Sequence, residues 1–312
     1  MAVSGSKNFV VTRADIIEAA LRKIGAYDQG ESVDGADTVI ASKALNMMVK
    51  AWLARGVDLH LRQTLTLFLQ PNQESYTFSS TSTDKYTNDT IVETTLSAAE
   101  ASGQTVISVT SSTGMTANDV VGIKMDDNTI HWSTIASVDT ATQITINDAT
   151  DDDAASGNKV YTYTNTGDTP RDIIVAYRRD TSGLDTQVDT IGEVEYGNIS
   201  DKDADGPPSQ VFYRQGVDSG KLHVWPTDWA DSGDKIILVG RVLPDDFDAA
   251  SNNPDFPVEW SEAIVYNLAD RLAPEYGVPI RERQMLKTEA EFYFNEMLGY
   301  DDENASVIIA QR

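Results

Sequence analysis

Cysteine is missing from all 312 residues, which excludes disulfides and thiolate chemistry and leaves packing to hold the fold. Histidine is almost as scarce. His60, His131 and His223 are the three present, and they are scattered without the spacing of a zinc site. Basic residues are outnumbered 24 to 49 by acidic ones, a formal charge of −25. A chain of that charge repels nucleic acid, because phosphate binding works through Lys and Arg displacing counterions. No apolar run reaches the ~20 residues that span a bilayer. The opening MAVSGSKNFV lacks the apolar centre of a signal peptide, so the expected compartment is the cytoplasm or a particle assembled there. The patterns G-x-x-x-x-G-K-[ST], G-x-G-x-x-G and G-x-S-x-G are all absent, so neither nucleotide binding nor an esterase-type serine is supported.

What is present is unevenly spread. Residues 1–70 hold 8 basic and 7 acidic residues, so the acidic excess lies after them. Thr12-Arg13-Ala14-Asp15 opens a helix in capping-box style, with Ile16, Ile17, Ala20, Leu21 and Ile24 as its buried stripe and Gly25 as its stop. A second helix is expected over 37–55, with Val39, Ile40, Ala44, Leu45, Met48, Val49, Trp52 and Leu53 apolar and Gly56 as C-cap. Leu65, Leu67 and Leu69 alternate with Thr64, Thr66 and Phe68 as a strand does. Residues 90–165 change texture: Ser/Thr-rich, 10 acidic against 2 basic, broken by turn signals such as Ser102-Gly103 and Ser156-Gly157. This block reads as a small all-β domain inserted into another, which loop-closure entropy permits at modest cost. Strands follow at 173–178, 210–213, 221–225 and 235–241.

The clearest stretch comes near the end: Asp255-Phe256-Pro257-Val258-Glu259-Trp260, continuing to Pro279. Asp255 is a candidate helix cap, with Pro257 in the first turn. Trp260, Ala263, Ile264, Leu268 and Leu272 recur at helical spacing, and Pro274, Gly277 and Pro279 punctuate the turn. A second periodic segment runs through Ile280, Leu286, Ala290, Phe294, Met297 and Leu298 to a stop at Gly299. The expected fold class is therefore α+β: a helical bundle from the N- and C-terminal helix hairpins, β-strands between them, and the inserted β domain. Its bundle core would be Ile17, Leu21, Leu45, Trp52, Trp260, Ile264, Leu268, Leu272, Leu286 and Phe294. The expected division is 1–89 with 166–300 as core, 90–165 as insert and 301–312 as a tail.

Pro257, Trp260, Glu262, Ala263, Leu268, Ala269, Leu272, Ala273, Pro274, Glu275, Tyr276 and Gly277 together resemble the C-terminal part of the head-to-tail adaptor proteins of short-tailed bacteriophages, the tail accessory or packaged-DNA stabilisation family. The resemblance extends more loosely over residues 12–56 and the strands after 206, and does not cover the insert. It implies a structural virion protein, not an enzyme, at the head–tail junction of a particle assembled in the host cytoplasm. It implies a dodecameric ring that binds the portal protein above and tail or nozzle proteins below, and helps retain packaged DNA. DNA would pass through the lumen without sequence-specific binding, and no membrane or cofactor is implied. Val307, Ile308 and Ile309, an apolar triplet in the polar tail, would dock on the portal or a neighbouring subunit.

Other chemistry has weaker support. Asp201-Lys202-Asp203-Ala204-Asp205-Gly206 fits the first half of a calcium loop, but the twelfth position, where a bidentate Glu belongs, is Phe212, and Pro207-Pro208 follow the glycine. A structural turn is the expectation there, with a cation site as the alternative. Two further functions stay open: a surface- or glycan-binding β protein using 90–165, and a cell-wall glycan hydrolase using paired carboxylates, which 49 acids allow almost anywhere.

Overall fold

A computed structural model of the chain describes residues 9–55, 57, 62–227, 233–242, 246–249, 251 and 257–300. In chain order the described helices are α1 (Arg13–Lys23), α2 (Gly35–Ala54), α3 (Glu193–Asn198), α4 (Ser261–Leu272) and α5 (Ile280–Tyr300). The strands are β1 (Arg62–Phe68), β2 (Ser75–Phe78), β3 (Tyr86–Thr87), β4 (Val92–Thr95), β5 (Val106–Ser108), β6 (Val120–Lys124), β7 (Ile130–Thr140), β8 (Gln143–Ile146), β9 (Lys159–Tyr163), β10 (Asp172–Arg179), β11 (Asp185–Thr190), β12 (Gln210–Gln215), β13 (Gly220–Trp225) and β14 (Lys235–Arg241).

The expected class, an α+β fold built on a helical bundle, is corrected by this inventory. The protein is predominantly β, with sheets of eight and six strands and five helices among the described residues. The reason is physical. The helices carry strong periodic signals, whereas many strands are short and polar on one face, and several, such as β1 on β14, β4 on β9 and β5 on β8, are held by partners far away in sequence. The chain divides into two compact units: Met1–Leu61 with Leu243–Arg312, and Arg62–Val242.

In the second unit the larger sheet runs β2-β13-β12-β11-β10-β14-β1-β3. All its neighbours are antiparallel except β11 and β12, which are parallel through Asp189↔Gln210 and Thr190↔Val211. β1 pairs along its whole length with β14, from Arg62↔Arg241 to Phe68↔Lys235. Because side chains alternate, Leu65 and Leu67 enter a core with Tyr76, Leu222, Ile236 and Leu238. Phe68 points to the opposite face and packs with Tyr161, Tyr163 and Trp132 of the smaller sheet, ring centroids 5.3, 5.9 and 4.9 Å away.

The smaller sheet runs β4-β9-β6-β7-β8-β5, antiparallel throughout, around a core that includes Ile107, Val109, Val121, Ile144 and Val160. Gly122 faces Trp132 across β6 and β7, and a Cβ there would meet the indole at 2.5 Å. Three polar devices tie this sheet to the larger one. Gln70 takes the place of a strand partner, donating to the Ile130 carbonyl and accepting from the Ile130 N–H, both at 2.9 Å. Asp89 accepts from the N–H groups of Thr164 and Asn165, joining the two ends of the segment that carries the sheet. Lys235, largely buried, pairs with Glu93 and lies 4.8 Å from the Tyr161 ring centroid.

Candidate functional site

The other unit collects the helices from both ends of the chain. Thr12 caps α1: its hydroxyl accepts from the Asp15 N–H, and the Asp15 carboxylate accepts from the Thr12 N–H at 2.9 Å. The Thr12 hydroxyl and N–H also hold the Asp15 carboxyl below its ordinary pKa. Asp34 caps α2 through the Gly35 N–H, so that helix begins two residues before its expected start, and it ends at Ala54 with Arg55 as C-cap. Gly56 and Asp255, the other expected caps, lie outside the described residues. A 3-10 turn at Val258–Trp260 leads directly into α4, and Pro274 falls just after that helix stops at Leu272. α5 continues through Gly299 to Tyr300 instead of stopping there. A single glycine costs a helix only about 1 kcal/mol, too little to end one of this length.

Of the residues expected in the bundle core, Ile17, Leu21, Leu45, Trp52, Trp260, Ile264, Leu268, Leu272 and Leu286 are all buried in one cluster, and Phe294 packs against it partly buried. Trp260 is at the middle, its ring 5.9 Å from Trp52 and 6.1 Å from Phe294, while Trp52 and Phe294 are 4.9 Å apart. α4 and α5 are further joined by Asn267, whose side-chain amide donates to the carbonyls of Ala263 at 2.8 Å and Ala290 at 3.0 Å. Tyr266 stacks on Tyr293 at 4.6 Å, with the Lys23 ammonium 3.8 Å from the Tyr266 ring. Val39, Ile40, Ile280 and Leu298, read above as part of the helices' apolar pattern, are exposed.

The residues of the Pro-x-x-Trp to Pro-Glu-Tyr-Gly run divide into two groups. Trp260, Ala263, Leu268, Ala269, Leu272 and Ala273 are buried packing residues, while Glu262, Pro274 and Glu275 face solvent. Tyr276 has a different role. Burial, followed by the neighbouring Asp37 carboxylate, pushes its phenol well above the ordinary value. Tyr27 donates to the same carboxylate at 2.5 Å and accepts from the Asp34 N–H at 3.1 Å. Two phenols from opposite ends of the chain thus converge on the first turn of α2. Sequence spacing does not signal this cluster, because its members are separated by the whole sheet-bearing unit. Gly277 sits at φ +69°, which ends the turn after α4 in the left-handed region that glycine favours.

In the sheet-bearing unit, the Asp201–Gly206 loop is held mainly through its backbone. Trp225 Nε1 donates to the Asp201 carbonyl at 2.7 Å, and Lys202 Nζ donates to the Ile199 carbonyl at 2.7 Å. Thr227 exchanges backbone hydrogen bonds with Ala204 and Gly206 at 3.0 and 3.1 Å. A hydrogen bond with Asp203 raises the pKa of Glu74. Phe212, at the twelfth position, is in β12 and stacks with Tyr196 at 5.4 Å and His223 at 5.7 Å. Burial, then Lys221 and Arg214, lower the pKa of His223. His131 sits elsewhere, its Nδ1 2.9 Å from Asp151. His60 lies outside the described residues, as do Val307, Ile308 and Ile309. Among the described residues no group of three or more His, Asp or Glu is placed to hold a metal ion. None of the described helices is long and apolar enough to cross a membrane.

The arrangement offers surfaces more than chemistry: a helical unit with ordered rings inside and apolar residues outside, and acidic sheets. No protein-family model matches the chain, and no curated protein matches it.

Proposed function

We propose that the chain is a structural virion protein, a head-to-tail adaptor that forms a ring beneath the portal, joins it to tail components and helps retain packaged DNA. The observation that carries this reading is the run from Pro257 to Gly277 with its likeness to the adaptor family, set on a helix at the centre of a unit built from both chain ends. A second feature supports it. The charge of −25 suits a lumen wall past which DNA slides without binding, since like charge keeps counterions on the phosphates. On this reading the protein is not an enzyme. Its partners are the portal, tail or nozzle proteins and further copies of itself, and the segment with Val307, Ile308 and Ile309 docks on the portal. Mixing the purified chain with its portal and weighing the product by mass photometry tests the proposal. A portal-bound ring is expected, and a chain that stays free in the mixture refutes it.

A further inference from the structure

Two helices of the helical unit, α2 and α5, carry exposed apolar residues that none of the described residues covers. On α2, Ile40, Lys43, Met47 and Lys50 are spaced three, four and three residues apart, so they form one stripe along the helix, and all four are exposed, Met47 by 63%. On α5, Met285, Glu289, Phe292 and Glu296 form another, with Met285 exposed by 61% and Phe292 by 62%. Each stripe alternates apolar and charged residues, and in each the apolar pair is seven residues apart, about 10.5 Å along a helix. The two stripes differ in sign: lysines on α2, glutamates on α5. Arg281 borders the α5 stripe at its N-terminal end, while Lys287 points elsewhere and pairs with Glu291 at 3.8 Å. Lys50 also reaches Asp246 of its own chain at 2.5 Å.

We infer that the α2 stripe of one copy docks on the α5 stripe of a second copy. Aligned in the same direction, Ile40 faces Met285, Lys43 faces Glu289, Met47 faces Phe292 and Lys50 faces Glu296. Two apolar pairs supply buried area and two ion pairs fix register and partner, the division of labour seen in paired helices. The contact joins two different surfaces, and an interface of that kind propagates into a ring or a filament. The inference deepens the ring-forming part of the function proposed above, but it rests on the helix surfaces alone.

Its test starts from this chain alone, and a portal-binding assay on the lysine variant completes it. Oligomeric mass is followed against concentration for the wild type, for Lys43→Glu with Lys50→Glu, for Glu289→Lys with Glu296→Lys, and for all four changes together. Every substituted residue is exposed, so the variants fold, which far-ultraviolet circular dichroism checks. The wild type should assemble as concentration rises. Each one-sided reversal sets like charges face to face and should raise the midpoint concentration about tenfold or more. The fourfold variant restores opposite signs and should return close to the wild type. A wild type that stays monomeric throughout, or assembly indifferent to all the variants, overturns the contact. So does a lysine reversal that leaves self-assembly unchanged and abolishes portal binding, because the occupant of the stripe is then the portal. Since the assembly assay contains no portal, failure here is distinguishable from failure of the adaptor reading.

Discussion

Replacing Trp260 with alanine should unfold the helical unit at a much lower temperature. Trp260 is fully buried and packs against Trp52 and Phe294. Truncating a buried Trp to Ala costs about 3–5 kcal/mol, and each well-placed ring pair contributes about 0.5–1.5 kcal/mol beyond its area. The expected loss is therefore near the upper end of that range. At a few degrees per kcal/mol for a domain of this size, melting should fall by roughly 10–20 °C. Trp260→Phe is the control. Trp260 Nε1 is buried without a hydrogen-bond partner among the described residues, so phenylalanine removes an unsatisfied donor while keeping a ring. Its cost should be only about 1–2 kcal/mol. Calorimetry of the full chain reads both variants. A Trp260→Ala melting curve that overlays the wild type, or a Trp260→Phe variant as damaged as Trp260→Ala, would refute the packing argument.

Three further expectations concern other parts of the molecule. Burial, aided by the charge of Glu93, pushes the Tyr161 phenol up from 10.0 to about 12. The folded state holds this proton more tightly than the unfolded state, so its stabilisation is complete below pH ~10 and declines by about 2–3 kcal/mol as pH rises to ~12. Denaturant titrations of Tyr161→Phe should show a shallower alkaline decline, and an unchanged slope counts against the assignment. Gly122→Ala should destabilise the smaller sheet by about 1–3 kcal/mol, because the added methyl meets the Trp132 ring at 2.5 Å; a neutral effect in the same titration would show that the indole moves aside freely. Thr12→Ala removes the α1 cap and should cost about 1 kcal/mol. Native-state hydrogen exchange at the start of α1 measures it, and unchanged protection there would mean that the cap contributes nothing.

How far the sequence could be read depended on the range of the forces involved. The Thr12–Asp15 capping box and the buried faces of α1 and α4 were legible because each is set within one or two turns of chain. The alternation of Leu65 and Leu67 was legible for the same reason. The predominance of β-structure was not. β3 has two residues and pairs with β1 through Leu67↔Tyr86, and β11 is mostly exposed and is held between its hairpin partner β10 and the parallel β12, through Asp189↔Gln210. Gln70 bonding to Ile130, and Tyr27 meeting Tyr276 at Asp37, likewise depend on contacts that only the folded chain creates. The exposed stripes of α2 and α5 are not legible in the sequence for a different reason. Their periodicity is that of a buried face, and sequence alone does not say which of two apolar faces a helix buries. In α2, Leu45 and Met48 turn inward while Ile40 and Met47 remain outside.

The measurement that bears most directly on the adaptor reading is the mass of the complex formed when the purified chain is mixed with its portal, read by mass photometry and native electron microscopy. A closed ring of this chain seated on the portal is expected. A chain that remains free, with the portal's mass unchanged, would contradict it.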